Sequence, residues 1–202
     1  MLPLICICGP SAAGKTLFAG LLASALQNAD IRGIVIGCDD YYREHWTPDP
    51  FFGFDTVEAI DSESLINDLR ALRSGELKRL RRYDMGTRAV HWTRLEAEAD
   101  VVLLEGAFGP QLLLNSCPPD LLIYLEESLA VRALRRLRRD IRERQRTVLS
   151  VLKQMFRQMI PGERRFIQPL REEADVVVRH GARDLSEALE PIISLCSSRR
   201  AQ

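Results

Sequence analysis

The chain has 202 residues, of which 46% are hydrophobic. This is enough apolar material for one sizeable core, so we predict a single domain over residues 1–202. Lysine plus arginine and aspartate plus glutamate number 28 each, which gives a net charge of zero. No overall field then attracts nucleic acid or an anionic membrane, and neither is an expected partner.

The cysteines and the apolar runs bear on the compartment. There are five cysteines, and they form neither a CxxC pair nor a metal-ligand spacing, so we interpret them as buried free thiols. The opening apolar stretch at residues 2–8 is too short for a signal peptide and lacks a basic lead-in. No longer apolar run follows, so the chain is predicted to be cytoplasmic.

In chain order, short apolar runs alternate with longer amphipathic segments. Strands are predicted at residues 3–8, 33–38, 101–105, 121–125 and 175–179, and helices at residues 15–28, 62–74, 128–138, 147–159 and 185–195. This alternation indicates an α/β fold in which a parallel sheet is flanked by helices on both faces. Residues 43–57 and 77–92 look irregular, and we predict loops that wall a substrate site, although loop packing alone would also explain their aromatic residues.

A phosphate-binding loop follows the first predicted strand and opens the first predicted helix. Residues 9–16 read GPSAAGKT and match GxxxxGK[ST] at every fixed position. In such a loop Lys15 reaches the β and γ phosphates and the Thr16 hydroxyl binds Mg²⁺. No NKxD guanine signature occurs, which favours adenine, so we predict an ATP–Mg²⁺ site. The predicted nucleotide contacts from this segment are Gly9, Ser11, Ala12, Ala13, Gly14, Lys15, Thr16 and Leu17.

Carboxylates follow two of the predicted strands. Asp39 and Asp40 end the second strand, and Glu105 ends the third. The carboxyl ends of parallel strands meet at one edge of a sheet, and Mg²⁺ needs one or two carboxylates near Thr16. A single acid of this kind more often caps a helix, but two strand ends beside a phosphate loop favour a catalytic site.

Eight arginines lie between Arg132 and Arg146. A solvated helix face and a nucleic-acid patch are both open interpretations of such a run. In a third interpretation, Arg136 and Arg139 on one helical face converge with Arg144 and Arg146 on phosphates. The residues alone do not decide between the solvated face and the phosphate cluster.

Taken together, the segments resemble the uridine kinase and phosphoribulokinase family of P-loop kinases across nearly the whole chain. Besides the phosphate loop, the matching segments are CDDYYR at 38–43, GFDTVEAID at 53–61, RRYD at 81–84, VVLLEG at 101–106, RRLRRDIRERQRT at 135–147 and FIQPLREEADVVV at 166–178. The resemblance implies a P-loop NTPase fold with a helical arginine lid at about 136–147. It also implies acceptor-binding loops at about 40–60 and 77–92.

The resemblance further implies a role for individual residues. Asp39 would take the proton from the acceptor hydroxyl, and Thr16, Asp39 and Glu105 would surround Mg²⁺. Lys15, Arg139 and Arg144 would act on the ATP phosphates. The residues implied to contact the acceptor are Tyr42, Asp55, Tyr83, Arg136, Arg146 and Gln154.

The acceptor is expected to be a small molecule that carries a primary hydroxyl, most simply a nucleoside such as uridine or cytidine. Nucleoside-phosphorylating members of the family have phenylalanine and histidine where this chain has Met85 and Arg88, and Arg88 is expected to meet an anionic acceptor. Pantothenate, a nicotinamide nucleoside or a sugar phosphate are alternative acceptors, and a non-catalytic nucleotide-binding regulator is an alternative class. A homo-oligomer is an expectation at the level of the family only.

Overall fold

The computed structural model describes residues 1–95, 98–113, 116–142, 147–179 and 184–200. Its centre is a parallel sheet of β1 (Leu4–Cys8), β2 (Gly33–Gly37), β5 (Val101–Glu105), β6 (Leu121–Glu126) and β7 (Val176–Arg179), in the order β2-β5-β1-β6-β7. These strands are short apolar runs, and β1, β5 and β6 are almost wholly buried because helices cover both faces. The α/β fold with a parallel sheet flanked by helices, predicted from the sequence, is confirmed.

The two faces of β1 belong to two separate cores. Ile5 and Ile7 pack against α1 (Lys15–Gln27) and α8 (Leu185–Arg200) on one side of the sheet. Leu4 and Cys6 pack with α2 (Ser62–Arg73) and α3 (Gly109–Leu113) on the other side. This division follows from the period-two alternation of side chains along a strand.

One long helical region runs from residue 148 to residue 173. It consists of α5 (Val148–Gln154), a π-helical turn (Met155–Met159), α6 (Ile160–Gly162), a second π-helical turn (Glu163–Ile167) and α7 (Leu170–Glu173). The predicted end at residue 159 is wrong, because the chain stays helical through Pro161, which stands in the first turn of α6, where proline is tolerated. The wide turns let the chain continue through this point, and such turns are frequent at functional sites.

The prediction of an irregular loop at residues 77–92 is also wrong in part. β3 (Arg79–Tyr83) and β4 (Val90–Arg94) form an antiparallel hairpin, with Tyr83 opposite Val90. Its connection is closed by the Asp84 carboxylate, which accepts hydrogen bonds from the N–H groups of Gly86 and Thr87. The strands were missed because the arginines of β3 hide its alternation. Residues 43–57 do form turns, held by bridges such as Asp49 with Gly53.

The cysteines fit the prediction of buried free thiols. All five are buried and none is bridged. Burial raises the pKa of the Cys8 thiol to about 12, which keeps it protonated and unreactive at neutral pH. Within the part of the chain that the structure describes, no helix is long and apolar enough to span a membrane.

Candidate active site

The phosphate loop has the backbone that phosphate binding requires. Gly9 and Gly14 have φ angles of 139° and 98°, which side chains other than glycine rarely adopt. A Cβ atom on Gly9 would lie 2.5 Å from the carbonyl oxygen of Leu125, so this position accepts only glycine. The loop leads directly into α1 at Lys15, and the helix start adds a partial positive charge. Lys15 Nζ donates to the carbonyl oxygens of Gly9 and Pro10 at 3.1 and 3.0 Å, which leaves the ammonium over the loop.

A hydroxyl and carboxylates suited to Mg²⁺ lie beside this loop. Thr16 Oγ1 donates to Glu105 Oε1 at 2.9 Å. Glu105 ends β5, which lies between β1 and β2, so its carboxyl group stands between the phosphate loop and Asp39. Burial raises the pKa of Glu105, and the nearby Lys15 partly opposes this. Hard oxygen ligands of this kind fit Mg²⁺, which completes its shell with waters and phosphate oxygens.

The two adjacent acids after β2 have different surroundings. Asp39 lines a cleft of about 200 Å³ with Lys15, Thr16 and Glu105. Asp40 Oδ2 instead accepts a hydrogen bond from Arg82 Nη1 at 2.7 Å, and its Oδ1 accepts one from the N–H of Tyr83 at 3.2 Å. Asp40 therefore ties the β3–β4 hairpin to the sheet, whereas Asp39 faces the cleft.

Some of the residues predicted to contact the acceptor line the cleft, and others do not. Tyr42 and Asp55 line the cleft, whereas Tyr83, Arg88 and Gln154 are not among the residues that line it. The Tyr42 ring centroid is 6.3 Å from that of Phe54 and 5.8 Å from that of Tyr83, so these rings form one aromatic group. Burial raises the pKa of Asp55, and the charge of Arg136 partly opposes this.

Arg88 lies in the connection between β3 and β4 and contacts the same aromatic group through Phe54. Its guanidinium carbon lies 5.0 Å above the Phe54 ring, and its φ of 59° is a left-handed value that a non-glycine residue rarely adopts. Gln154 is the last residue of α5.

The arginine helix is α4 (Leu129–Arg142), and its members point in different directions. Arg139 lines the cleft, and its Nε donates to Asp140 Oδ1 at 3.1 Å. Arg136 is buried, and its Nη1 donates to the hydroxyl of Ser11 in the phosphate loop at 3.1 Å. The other two predicted members, Arg144 and Arg146, lie outside the described residues.

A sequence model of the phosphoribulokinase / uridine kinase family matches residues 4–186. The chain belongs to this family.

Two curated relatives of the family illustrate the range of similarity. A uridine kinase of Macrococcus caseolyticus is 33% identical over 188 residues, which cover 88% of each chain. Mouse uridine-cytidine kinase-like 1 is 33% identical over 185 residues, which cover 86% of this chain but only 33% of the mouse protein.

Solved structures share the fold. A possible uridine kinase from Bacillus stearothermophilus has a TM-score of 0.65 at 19% identity, over 87% of this chain and 88% of its own. A putative fructose transport system kinase from Silicibacter sp. TM1040 has a TM-score of 0.69 at 17% identity, over 88% and 89%. The solved structures show the shared fold, and the family match with its curated relatives supports a small-molecule kinase; the phosphoribulokinase / uridine kinase family implies ATP and typically Mg²⁺.

Two residues at the phosphate loop of this family member were not found from the sequence. Arg132 on α4 and Glu163 in the second π-helical turn form a buried ion pair, with Arg132 Nη1 2.9 Å from Glu163 Oε1. Glu163 also lines the cleft. No spacing rule connects two residues so far apart in the chain. The only signal was the four-residue spacing of Arg132, Arg136 and Asp140, which puts three charged residues on one helical face.

Proposed function

We propose that this kinase transfers the γ-phosphoryl group of ATP to a primary hydroxyl of a small molecule, with a nucleoside as the acceptor class. One observation carries the proposal: Lys15, Thr16, Glu105, Asp39 and Asp55 border a single cleft. The residues proposed to bind the nucleotide, the metal ion and the acceptor, and to act as the base, would then lie around one cleft, as phosphoryl transfer requires.

Each side of the cleft has its own task in the proposed reaction. Lys15 and the N–H groups of the loop hold the β and γ phosphates, and Thr16, Asp39 and Glu105 would hold Mg²⁺. The metal ion, when bound, supplies neutralisation of phosphate charge. Arg139, and by family resemblance Arg144, stabilise charge on the transferring group.

The chemistry is an in-line displacement. The acceptor hydroxyl oxygen forms a bond to the γ phosphorus while the bond from that phosphorus to the β–γ bridging oxygen breaks. Asp39 receives the hydroxyl proton, and the products are ADP and a phosphate monoester. Asp55 orients the acceptor by accepting hydrogen bonds from its sugar hydroxyls, a role open to an ionised carboxylate.

The nucleoside class is supported by two kinds of observation. Curated relatives that match most of this chain are named uridine kinases. The aromatic group of Tyr42, Phe54 and Tyr83 beside Asp55 offers faces for a planar base. The family match further implies contacts from Arg136, Arg146 and Gln154, and these remain part of the proposal.

A second acceptor class is favoured by Arg88. Its guanidinium group, held above Phe54 at the edge of the acceptor wall, suits a carboxylate or phosphate on the acceptor. Pantothenate or a sugar phosphate would meet that requirement. A nicotinamide nucleoside carries a positive charge and would not use Arg88 in this way.

The test is ADP release from ATP and Mg²⁺ across a panel of nucleosides, vitamins and sugar phosphates. We expect release to be stimulated most by uridine or cytidine. No stimulation by any acceptor would contradict the kinase proposal and favour a nucleotide-binding regulator. Stimulation by anionic acceptors alone would replace the nucleoside with the class suggested by Arg88.

The base is tested with a matched pair of neighbouring carboxylates. Asp39→Asn is expected to lower kcat by about 100-fold or more, because a general base contributes about 10²–10⁴ in rate. Asp40→Asn removes a charge one residue away, and we expect kcat within about fivefold of wild type, because Asp40 binds Arg82 and the N–H of Tyr83 outside the cleft and so supplies none of the general-base contribution. Equal turnover of Asp39→Asn and wild type would exclude Asp39 as the base.

A further inference from the structure

The N–H, carbonyl and hydroxyl groups of Ser11 in the phosphate loop are all hydrogen-bonded to side chains of α4 and of the second π-helical turn. Its N–H donates to Glu163 Oε1 at 2.8 Å, and its carbonyl oxygen accepts from Arg132 Nη1 at 3.1 Å. Its hydroxyl accepts from Arg136 Nη1 at 3.1 Å. The position of this peptide, next to the N–H groups that face phosphate, is therefore set from outside the loop.

Glu163 and Arg132 are buried charges that depend on each other. Their side chains are 4% and 7% exposed, and Arg132 Nη1 lies 2.9 Å from both carboxylate oxygens of Glu163. Two ions taken out of water are tolerated only when they are paired and hydrogen-bonded. Loss of the Glu163 charge would leave the buried Arg132 guanidinium without this counter-charge, next to a residue that lines the cleft.

We infer that Glu163 is a positioning residue for phosphoryl transfer: its carboxylate fixes the Ser11 peptide and keeps the Arg132 guanidinium from binding the γ-phosphate. This inference rests on the proposed kinase function. Glu163 lines the same cleft as Lys15 and Asp39, whereas Arg132 does not line it and lies behind Glu163, with Nη1 2.9 Å from the Glu163 carboxylate, so Glu163 stands between the guanidinium and the cleft. Without the Glu163 charge, Arg132 would bind the ground state more tightly without aiding transfer, and such binding does not raise kcat.

The first part of the test needs no acceptor. Isothermal titration calorimetry measures Kd for ATP–Mg²⁺ and ADP–Mg²⁺ in wild type and in Glu163→Gln, which keeps the shape and removes the charge. We expect the preference for ATP over ADP to rise about fivefold, the effect of one added cation near a phosphate in a solvated site. The double variant Glu163→Gln/Arg132→Met should return the preference to within about twofold of wild type.

The second part measures turnover with the best acceptor. Glu163→Gln is expected to lower kcat by about tenfold while the KM for ATP does not rise, because phosphate binding is kept and positioning is lost. A role in folding alone would instead weaken ATP binding and turnover together. If Glu163→Gln does not fold, Glu163→Asp keeps the charge on a shorter side chain, and it should leave the preference unchanged and lower kcat.

A matched control lies at the opposite end of the sheet. Asp120 also accepts a hydrogen bond from a backbone N–H, that of Leu4 at 2.8 Å, and pairs with Arg73 at 3.0 Å. Asp120→Asn should lower Tm without changing either the ATP preference or kcat. An unchanged preference in a folded Glu163→Gln, or a raised preference that persists in the double variant, would overturn the inference. A wild type that binds ATP but phosphorylates no acceptor would contradict the proposed function, while the binding part would still decide the role of Glu163.

Discussion

Two residues of the cleft, Asp55 and Glu105, are carboxylates whose ionised form is penalised by burial. Burial raises the pKa of both, although Arg136 acts against the shift at Asp55 and Lys15 against the shift at Glu105. The proposed chemistry needs both groups ionised, so each trades stability of the fold for function at neutral pH. A substitution that removes the charge should reveal this trade.

Asp55→Asn is expected to raise the free energy of unfolding at pH 7.5 while acceptor phosphorylation is lost. The folded-state pKa of Asp55 lies above its unfolded value, so the folded state binds the proton more tightly. The penalty in wild type therefore exists above the raised pKa and disappears as the pH falls below the unfolded value. Urea unfolding across that pH range should show the advantage of the variant shrinking toward acid pH.

Glu126 supplies a control of opposite sign. Hydrogen bonds from Arg171, followed by those from Arg179, lower the pKa of Glu126. Its charge therefore stabilises the fold above the unfolded pKa, and Glu126→Gln should lose stability at pH 7.5 by a small amount, because the group is partly exposed. A loss of stability in Asp55→Asn at pH 7.5 would contradict the trade proposed for the cleft.

At the scale of elements, the helical region 148–173 touches both the phosphate loop and the loop that carries Asp55. Glu163 contacts Ser11, and the neighbouring Gly162 packs against the backbone of Asp55. A Cβ atom on Gly162 would lie 3.0 Å from the carbonyl oxygen of Asp55, and one on Gly53 would lie 2.9 Å from Gln158 Oε1. The distance between this helical region and the loop that carries Asp55 thus depends on Gly162 and Gly53, which leave no room for a Cβ atom.

Gly162→Ala is expected to raise the KM for the acceptor by about tenfold, because the Asp55 backbone must move and small misplacements near reacting groups are costly. The KM for ATP should stay near the wild-type value. Steady-state kinetics with each substrate varied in turn separates the two. An acceptor KM equal to that of wild type would show that the approach of Gly162 to Asp55 is not a constraint on binding.

Gly20→Ala is the matched control for this substitution. Gly20 lies within α1, and a Cβ atom there would meet nothing within 4 Å. The change should stabilise the fold by about 0.5–1 kcal/mol through helix propensity and leave both KM values unaltered.

Helix α4 explains why the arginine run could not be interpreted from the sequence. Its apolar spacing predicts a helix, but the buried positions are Arg132, Arg136 and Asp140, while Leu134 is 50% exposed. Periodicity indicates which residues share a face, and only the neighbouring elements decide which face is covered. Here that neighbour is the phosphate loop, whose carbonyl oxygens accept from arginine. Arg132, which was not among the arginines predicted to bind phosphates, is buried and binds Ser11 and Glu163.

At the scale of the whole molecule, the strand order gathers the site at one edge of the sheet. β1 leads into the phosphate loop, β2 leads into Asp39, and β5 between them ends at Glu105. Ligands of open α/β sheets bind beyond the carboxyl ends of the strands for this reason. Binding of ATP–Mg²⁺ to the folded chain at this edge should raise its stability.

ATP–Mg²⁺ at 100 times its Kd is expected to stabilise the fold by about 2.7 kcal/mol. For a chain of this size the gain corresponds to a rise in Tm of about 5–10 °C. Differential scanning fluorimetry measures it, and Lys15→Ala should abolish most of the rise because the phosphates lose their cation. No shift of the wild-type Tm at saturating ATP–Mg²⁺ would contradict nucleotide binding at this loop.

The sequence by itself determined the α/β fold, the phosphate loop and the acids at two strand ends, because these features are written in short motifs and in the alternation of neighbouring residues. Tertiary structure decided that Asp40 pairs with Arg82 of the hairpin, that charged residues form the covered face of α4, and that Glu163 meets Ser11 across 152 residues of chain. Contacts of that kind depend on how distant elements pack, and no local pattern encodes them.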